Sequence, residues 1–315
     1  MSSRFQRTTL LLAFGWAFLA LLLFLRATLF HTGWTTPLHT SNTPGRVSVT
    51  WVCPEGESAG VRPGDGLVSI DGLPYLQWGR DGRWRDLDPQ RTNLYRFELR
   101  DGSTREVPLY PSPVTAQPLP LAPIYLASLA VGSAFLIMGL LVWMLRRGRE
   151  ESWAFGLFSA LVAVQLFTSF DTYRQTAGYE RSALNFFLLA AGVFHLFTTY
   201  PFEPRWIAGR RWLRGVLYGV AAAALPLVWL EGRFGVPFFA IAQIGFALLL
   251  AASVLSLAAV AIERRRRRAE EDVARADVML LGAFASFVPV LGLIVAESFL
   301  RTGFPIYLAL LWFIV

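Results

Sequence analysis

The sequence predicts an α-helical polytopic membrane protein of about eight spans, the last of them incomplete, with a small β-rich domain between the first span and the second. Three observations lead there. Of 315 residues, 54% are hydrophobic and 16% charged, too apolar for an ordinary soluble fold and too long for one helical hairpin. The apolar residues gather in stretches of the roughly 17 to 25 that a helix needs to cross hydrocarbon, interrupted by one polar, turn-rich interval from His31 to Pro120. Finally, the arginine run Arg264 to Arg268 lies between two such stretches, and short arginine-rich loops stay on the cytoplasmic side.

Taken in order, residues 1–30 form an N-terminal anchor. Arg4 and Arg7 precede an apolar stretch from Thr8 to Phe30 with no small-residue cleavage site after it, which predicts an uncleaved helix with its N-terminus inside. Arg26 lies near its outer end, where a long side chain snorkels to the headgroups. Residues 31–120 are the extracytoplasmic domain and its Pro-rich linker. Residues 121–315 are a bundle of seven further helices: Ala122 to Leu145, Trp153 to Phe170, Ser182 to Phe202, Trp212 to Leu230, Val236 to Ile262, Val278 to Leu300 and the short stretch Phe304 to Val315. With this topology fifteen arginines fall in cytoplasmic segments (4, 7, 146, 147, 149, 205, 210, 211, 214, 264–268 and 275) and four in short outer loops (174, 181, 233 and 301). The last stretch is too short to cross, and a carboxylate ending in hydrocarbon costs several kcal/mol, so a longer parent protein with a cytoplasmic continuation is expected.

Within the polar interval, Arg46 to Val52 reads as a strand with Val47, Val49 and Trp51 on one face. The sequence from Arg96 through Asp101-Gly102 to Leu109 reads as a hairpin whose Asp-Gly suits a turn of matching twist. The stretch Ala59-Gly60-Val61-Arg62-Pro63-Gly64-Asp65-Gly66-Leu67-Val68-Ser69-Ile70-Asp71-Gly72-Leu73-Pro74-Tyr75 resembles the signature of bacterial PDZ domains. Phe97-Glu98-Leu99-Arg100-Asp101-Gly102 and the residues to Leu109 resemble the closing hairpin of that fold. The resemblance makes Gly60, Gly64, Asp65 and Gly72 fold-defining. It implies a peptide or protein ligand taken by strand addition, with Val47 and Val49 on the groove strand. Trp78 to Pro89, where the groove helix belongs, contains Gly79, Gly82, Asp86 and Pro89 and makes a poor helix.

Chemistry is sparse. Histidine occurs only at 31, 39 and 195, Cys53 is alone, and there is no His-Glu-x-x-His, Gly-x-Ser-x-Gly or phosphate loop. No metal, cofactor or catalytic residue is expected in the chain as given. The net charge of +7 belongs to topology, and nucleic acid is not an expected partner. His195 and Glu297 are the intramembrane polar candidates, the latter paired with Arg301 four residues on. Gln165, Asn185 and Gln243 are read as interhelical glue, Trp153, Trp212 and Trp229 as headgroup anchors, and residues 270–277 as a solvated helix extension.

An anchor, an outer PDZ-like domain and a block of spans together resemble the input half of bacterial membrane sensor histidine kinases of the competence-pheromone type. Tyr200-Pro201-Phe202-Glu203-Pro204 resembles their Phe-Pro-Glu loop. This resemblance implies a signal receptor of the bacterial inner membrane, surrounded by lipid bilayer and with a homodimer among its expected partners, feeding a two-component kinase module beyond Val315. The rival expectation is a non-enzymatic membrane scaffold for periplasmic or extracellular proteins. A transporter comes third, since no broken helix carries charge at mid-depth.

Overall fold

The computed structural model describes residues 3–29, 34–43, 46–80, 83, 87–113, 121–168, 178–230, 240–266, 271, 273–278 and 280–282. Two assemblies make up the fold, a helical bundle and a small antiparallel sheet between its first two long helices.

The sheet runs β2-β3-β4-β6-β7, built from β2 (Leu38–Thr43), β3 (Arg46–Val52), β4 (Gly66–Ile70), β6 (Asn93–Glu98) and β7 (Thr104–Leu109), with β5 (Leu73–Pro74) paired to β4. Alternation fixes its inner face: Tyr95 and Phe97 of β6 are fully buried while Leu94, Arg96 and Glu98, which alternate with them, face out. They join Val47, Val49, Val52, Val61, Leu67, Ile70, Val107 and Leu109 in one apolar cluster, against which Trp51 is partly buried. After β3 comes the single turn α2 (Pro54–Ser58), started by Pro at its first position. Its Gly56 lies so close to the sheet that a Cβ would fall 2.2 Å from Val52 Cγ2. β1 (Trp34–Thr35) pairs with β8 (Ser112–Pro113), so the first and last strands of this module lie side by side.

The turns divide the work differently from the sequence expectation. Both φ angles are positive at Asp71 (50°) and Gly72 (77°), so the β4–β5 connection is the mirror-image turn that tight hairpins favour. In the β6–β7 hairpin, Gly102 N–H donates to Leu99 C=O (3.0 Å) and Leu99 N–H to Ser103 C=O (2.8 Å), a three-residue loop closed by Gly102 at φ 80°. Asp101 here is a side-chain cap: its Oδ1 accepts from Ser103 N–H (2.9 Å) and Oγ–H (2.6 Å). Those bonds hold its carboxyl below the usual aspartate range. Because the folded value is depressed, the stabilisation is present above the ordinary aspartate range and disappears as the pH falls through the folded value. Urea unfolding of the module is therefore expected to weaken toward acid pH with a component that Asp101→Asn removes; equal acid sensitivity in the variant would refute the cap.

Cys53 is buried at the end of β3, and burial pushes its thiol above its ordinary value. Alkylation by iodoacetamide at pH 8 is expected at least about tenfold slower in the folded chain than in denaturant. Equal rates would mean that this end of β3 is open.

In the bundle, α1 (Ser3–Leu29), α4 (Leu121–Leu145), α5 (Glu150–Thr168) and α9 (Ala240–Arg266) contain the four stretches among the described residues that are long and apolar enough to cross a membrane. α6 (Gly178–Phe197), whose 20 residues include Glu180, Arg181, Asn185 and His195, is not among them, and α8 (Trp212–Leu230) holds a shorter apolar stretch. The expected spans beyond residue 282, with Glu297, lie outside the described residues. α5 is the hub. Alanines of α1 (Ala17, Ala20) meet Ala160 and Ala163 of α5, and a Cβ on Gly139 of α4 would fall 2.6 Å from Ser159 Cβ. Such small-residue seams let helices approach closely where no water drives them together. Opposite them, Leu11, Leu12 and Phe18 of α1, Ile137 and Leu141 of α4, and Val254 and Leu255 of α9 are exposed, an apolar exterior suited to lipid.

Candidate functional site

The sheet edge comes first. Val47 and Val49 were expected on a groove strand, but β3 is bonded to β2 on one side and to β4 on the other, and both side chains are buried core. An interior strand has no free edge, so strand addition at Val47 and Val49 is ruled out. Among the described residues the sheet's two edges are β2, which pairs with β3 alone, and β7, which pairs with β6 alone; only β2 has a helical segment bonded beside it. This segment is α3 (Tyr75–Arg80); Tyr75 Oη lies 3.0 Å from Thr40 Oγ1 of β2. Gly60 (φ 89°), Gly64 (φ 96°) and Gly72 occupy the left-handed region. Asp65 is buried and its Oδ2 accepts from Arg62 N–H at 2.7 Å, closing the loop that leads into β4. An open cleft of about 570 Å³ beside this loop is lined by Gly60, Arg62, Pro63, Asp65, Leu99, Arg100 and Asp101, away from the β2 edge.

The second constellation is in the bundle, where the N-termini of α1, α5 and α8 meet the C-terminus of α6. Arg214, two residues into α8 and only 4% exposed, donates through Nη1 to Glu150 Oε1 of α5 (2.8 Å). Its Nε reaches Thr198 Oγ1 (3.1 Å) and its Nη2 reaches Thr198 C=O, while Nη2 also lies 3.0 Å from Glu203 Oε1. Glu203 is further clasped by Arg211, through Nε (3.0 Å) and Nη2 (2.8 Å). One planar guanidinium thus ties α5, the end of α6, its connector and α8 together, a task that five fixed donors suit and a lysine does not.

His195 is next to this knot, 4% exposed, with Nε2 3.5 Å from Glu150 Oε1. Trp153 packs edge-on against it at 4.8 Å between centroids and Tyr218 of α8 at 6.0 Å. Neither ring nitrogen of His195, nor Tyr218 Oη, makes a hydrogen bond among the described residues. Trp153 was expected at the headgroups and is instead 4% exposed; its Nε1–H donates to Gln6 C=O (3.1 Å) and Thr9 Oγ1 (3.0 Å), locking α1 to α5. Nearer the other end of α5, Asn185 donates to Leu161 C=O and Gln165 Oε1, and Gln165 to Ser182 Oγ, each at 2.9 Å, so these residues do join helices, whereas Gln243 is exposed.

Sequence reasoning found His195 but missed Arg214, Glu150 and Glu203 as a unit. The available signal was that Arg214 falls within the expected span Trp212 to Leu230, where a charge needs a partner. Among the described residues no group of histidine, cysteine and carboxylate side chains is arranged to hold a metal. Comparisons with protein-family models, with curated proteins and with solved structures gave no match to this chain.

Proposed function

We propose that the chain is the input half of a membrane signal receptor: an extracytoplasmic PDZ-like module captures an extended peptide or protein segment and alters the packing of a bundle of about eight spans. A homodimer in the bacterial inner membrane, with the N-terminus inside, passes the change to a cytoplasmic histidine-kinase output. One observation carries this reading. The sheet module is strung between α1 and α4, its first and last strands are paired, and both helices rest on α5, whose Glu150 end is held in the Arg214 knot. A pull or twist at the module therefore reaches α5 directly, and a ligand shifts the bundle by as much as it prefers one arrangement over the other. The β2 edge beside α3 supports the extended ligand, since a strand adds there through main-chain hydrogen bonds.

The experiment uses the chain in nanodiscs with Cys53→Ser and spin labels at Leu12 of α1 and Leu255 of α9. Extended peptides with free carboxyl termini are screened for binding, and the inter-label distance is measured with and without each binder. A binder that changes the distance distribution supports the receptor. Binding with no change in that distance would favour the scaffold instead.

A further inference from the structure

The connector from α6 to α8 is rigidly seated. Phe202 and Ile207 are buried in the bundle core, Arg214 and Thr198 close its two ends, and Glu203, the one carboxylate between Thr198 and Arg214, is committed to Arg211 and Arg214. What remains outward is specific. Trp206 is 46% exposed and held against Phe194 at 6.1 Å, and Trp212 is 66% exposed. Arg205 and Arg210 are exposed, with no carboxylate partner among the described residues. Along α8 the exposed apolar positions Trp212, Val216 and Val220 recur every four residues, one stripe on one helix face. Such a stripe suits a lipid-facing side, and a tryptophan at its end suits headgroup level, where amphipathic indoles settle. Arg210 precedes that tryptophan by two residues.

We propose that this connector, α7 (Arg205–Ala208) with its flanks, is a seat for one anionic phospholipid, the indoles of Trp206 and Trp212 against the glycerol region and the guanidiniums of Arg205 and Arg210 on the headgroup. A fork of donors matches a phosphate oxygen pair, and the negative headgroup supplies the countercharge that Glu203 does not. The seat is fixed before the lipid arrives, because the four buried anchors hold the connector in the protein. This inference stands whichever ligand the sheet module takes.

The full chain in detergent is titrated with phosphatidylglycerol or phosphatidylcholine and the bound lipid counted by native mass spectrometry. Wild type is expected to prefer phosphatidylglycerol, R205A/R210A to lose roughly thirtyfold in its affinity, and R4A/R7A, with the same loss of charge elsewhere, to stay within about threefold of wild type. Quenching of tryptophan fluorescence by brominated phosphatidylglycerol is expected to fall in W206A/W212A, whose circular dichroism checks that the bundle still folds. Retained affinity in R205A/R210A would overturn the seat, as would an equal loss in R4A/R7A, which points to a diffuse field. Displacement of the lipid by excess inorganic phosphate would also overturn it, by assigning the site to a soluble anion.

Discussion

Replacing Arg214 with Met is expected to remove about 3 kcal/mol of stability from the detergent-solubilised chain. The side chain is 4% exposed and serves Glu150, Glu203 and Thr198 at once, so its removal leaves three partners facing a neutral, buried methylene chain. Breaking a buried pair from one side costs about 3 to 5 kcal/mol. The lower end applies because Glu150 and Glu203 keep 39% and 23% exposure and recover part of their hydration. The control is Arg211→Met: it removes a partner of the same Glu203 from a side chain 65% exposed, and is expected to cost far less than Arg214→Met, as solvent-screened ion pairs do. Adding Glu150→Gln and Glu203→Gln to Arg214→Met neutralises the stranded carboxylates and is expected to restore part of the loss. Unfolding in denaturant followed by circular dichroism decides it; equal losses for Arg214→Met and Arg211→Met would reduce the knot to a surface ion pair.

Patterns local to one segment were legible in the sequence. The strand Arg46 to Val52 coincides with β3, and the long apolar stretch before the arginine run is the helix α9, whose last turn carries the first three of those arginines, expected in a loop. Period-two alternation is a property of seven consecutive residues, so it survives without knowledge of neighbours. What that alternation does not carry is who pairs with the strand. Val47 and Val49 read equally well on an edge or in the interior, and the choice is made by β2 and β4, bonded from elsewhere in the chain. Trp153 presents the same ambiguity: an indole near a span end satisfies its N–H with headgroups or with protein, and only the approach of Gln6 and Thr9 decides for protein. The Arg214 knot joins positions 64 residues apart, and arginines counted only for their side of the membrane hide the one that is spent inside.

Phe97→Ala in the sheet module is expected to cost about 3 to 5 kcal/mol, the largest single effect in that half of the protein. Phe97 is fully buried, its ring is stacked on Tyr95 at 6.3 Å and 15°, and its strand lies between β4 and β7, so the hole left behind is walled by the sheet on both sides and collapses poorly. A domain the size of residues 34–113 holds only roughly 5 to 10 kcal/mol in all. The loss therefore moves the variant to the edge of unfolding at 37 °C. Arg96→Ala, one residue away on the outer face, is expected to cost under about 0.5 kcal/mol, which separates burial from strand position. Among the described residues the module's apolar cluster shares no member with the clusters of the bundle, so the bundle's own unfolding transition is expected to stay in place when Phe97 is truncated. Urea unfolding of the isolated module and proteolysis of the full chain measure the two halves separately. A shift of both transitions would mean that module and bundle fold as one unit, and a change that small at Phe97 as at Arg96 would mean the sheet closes over the cavity.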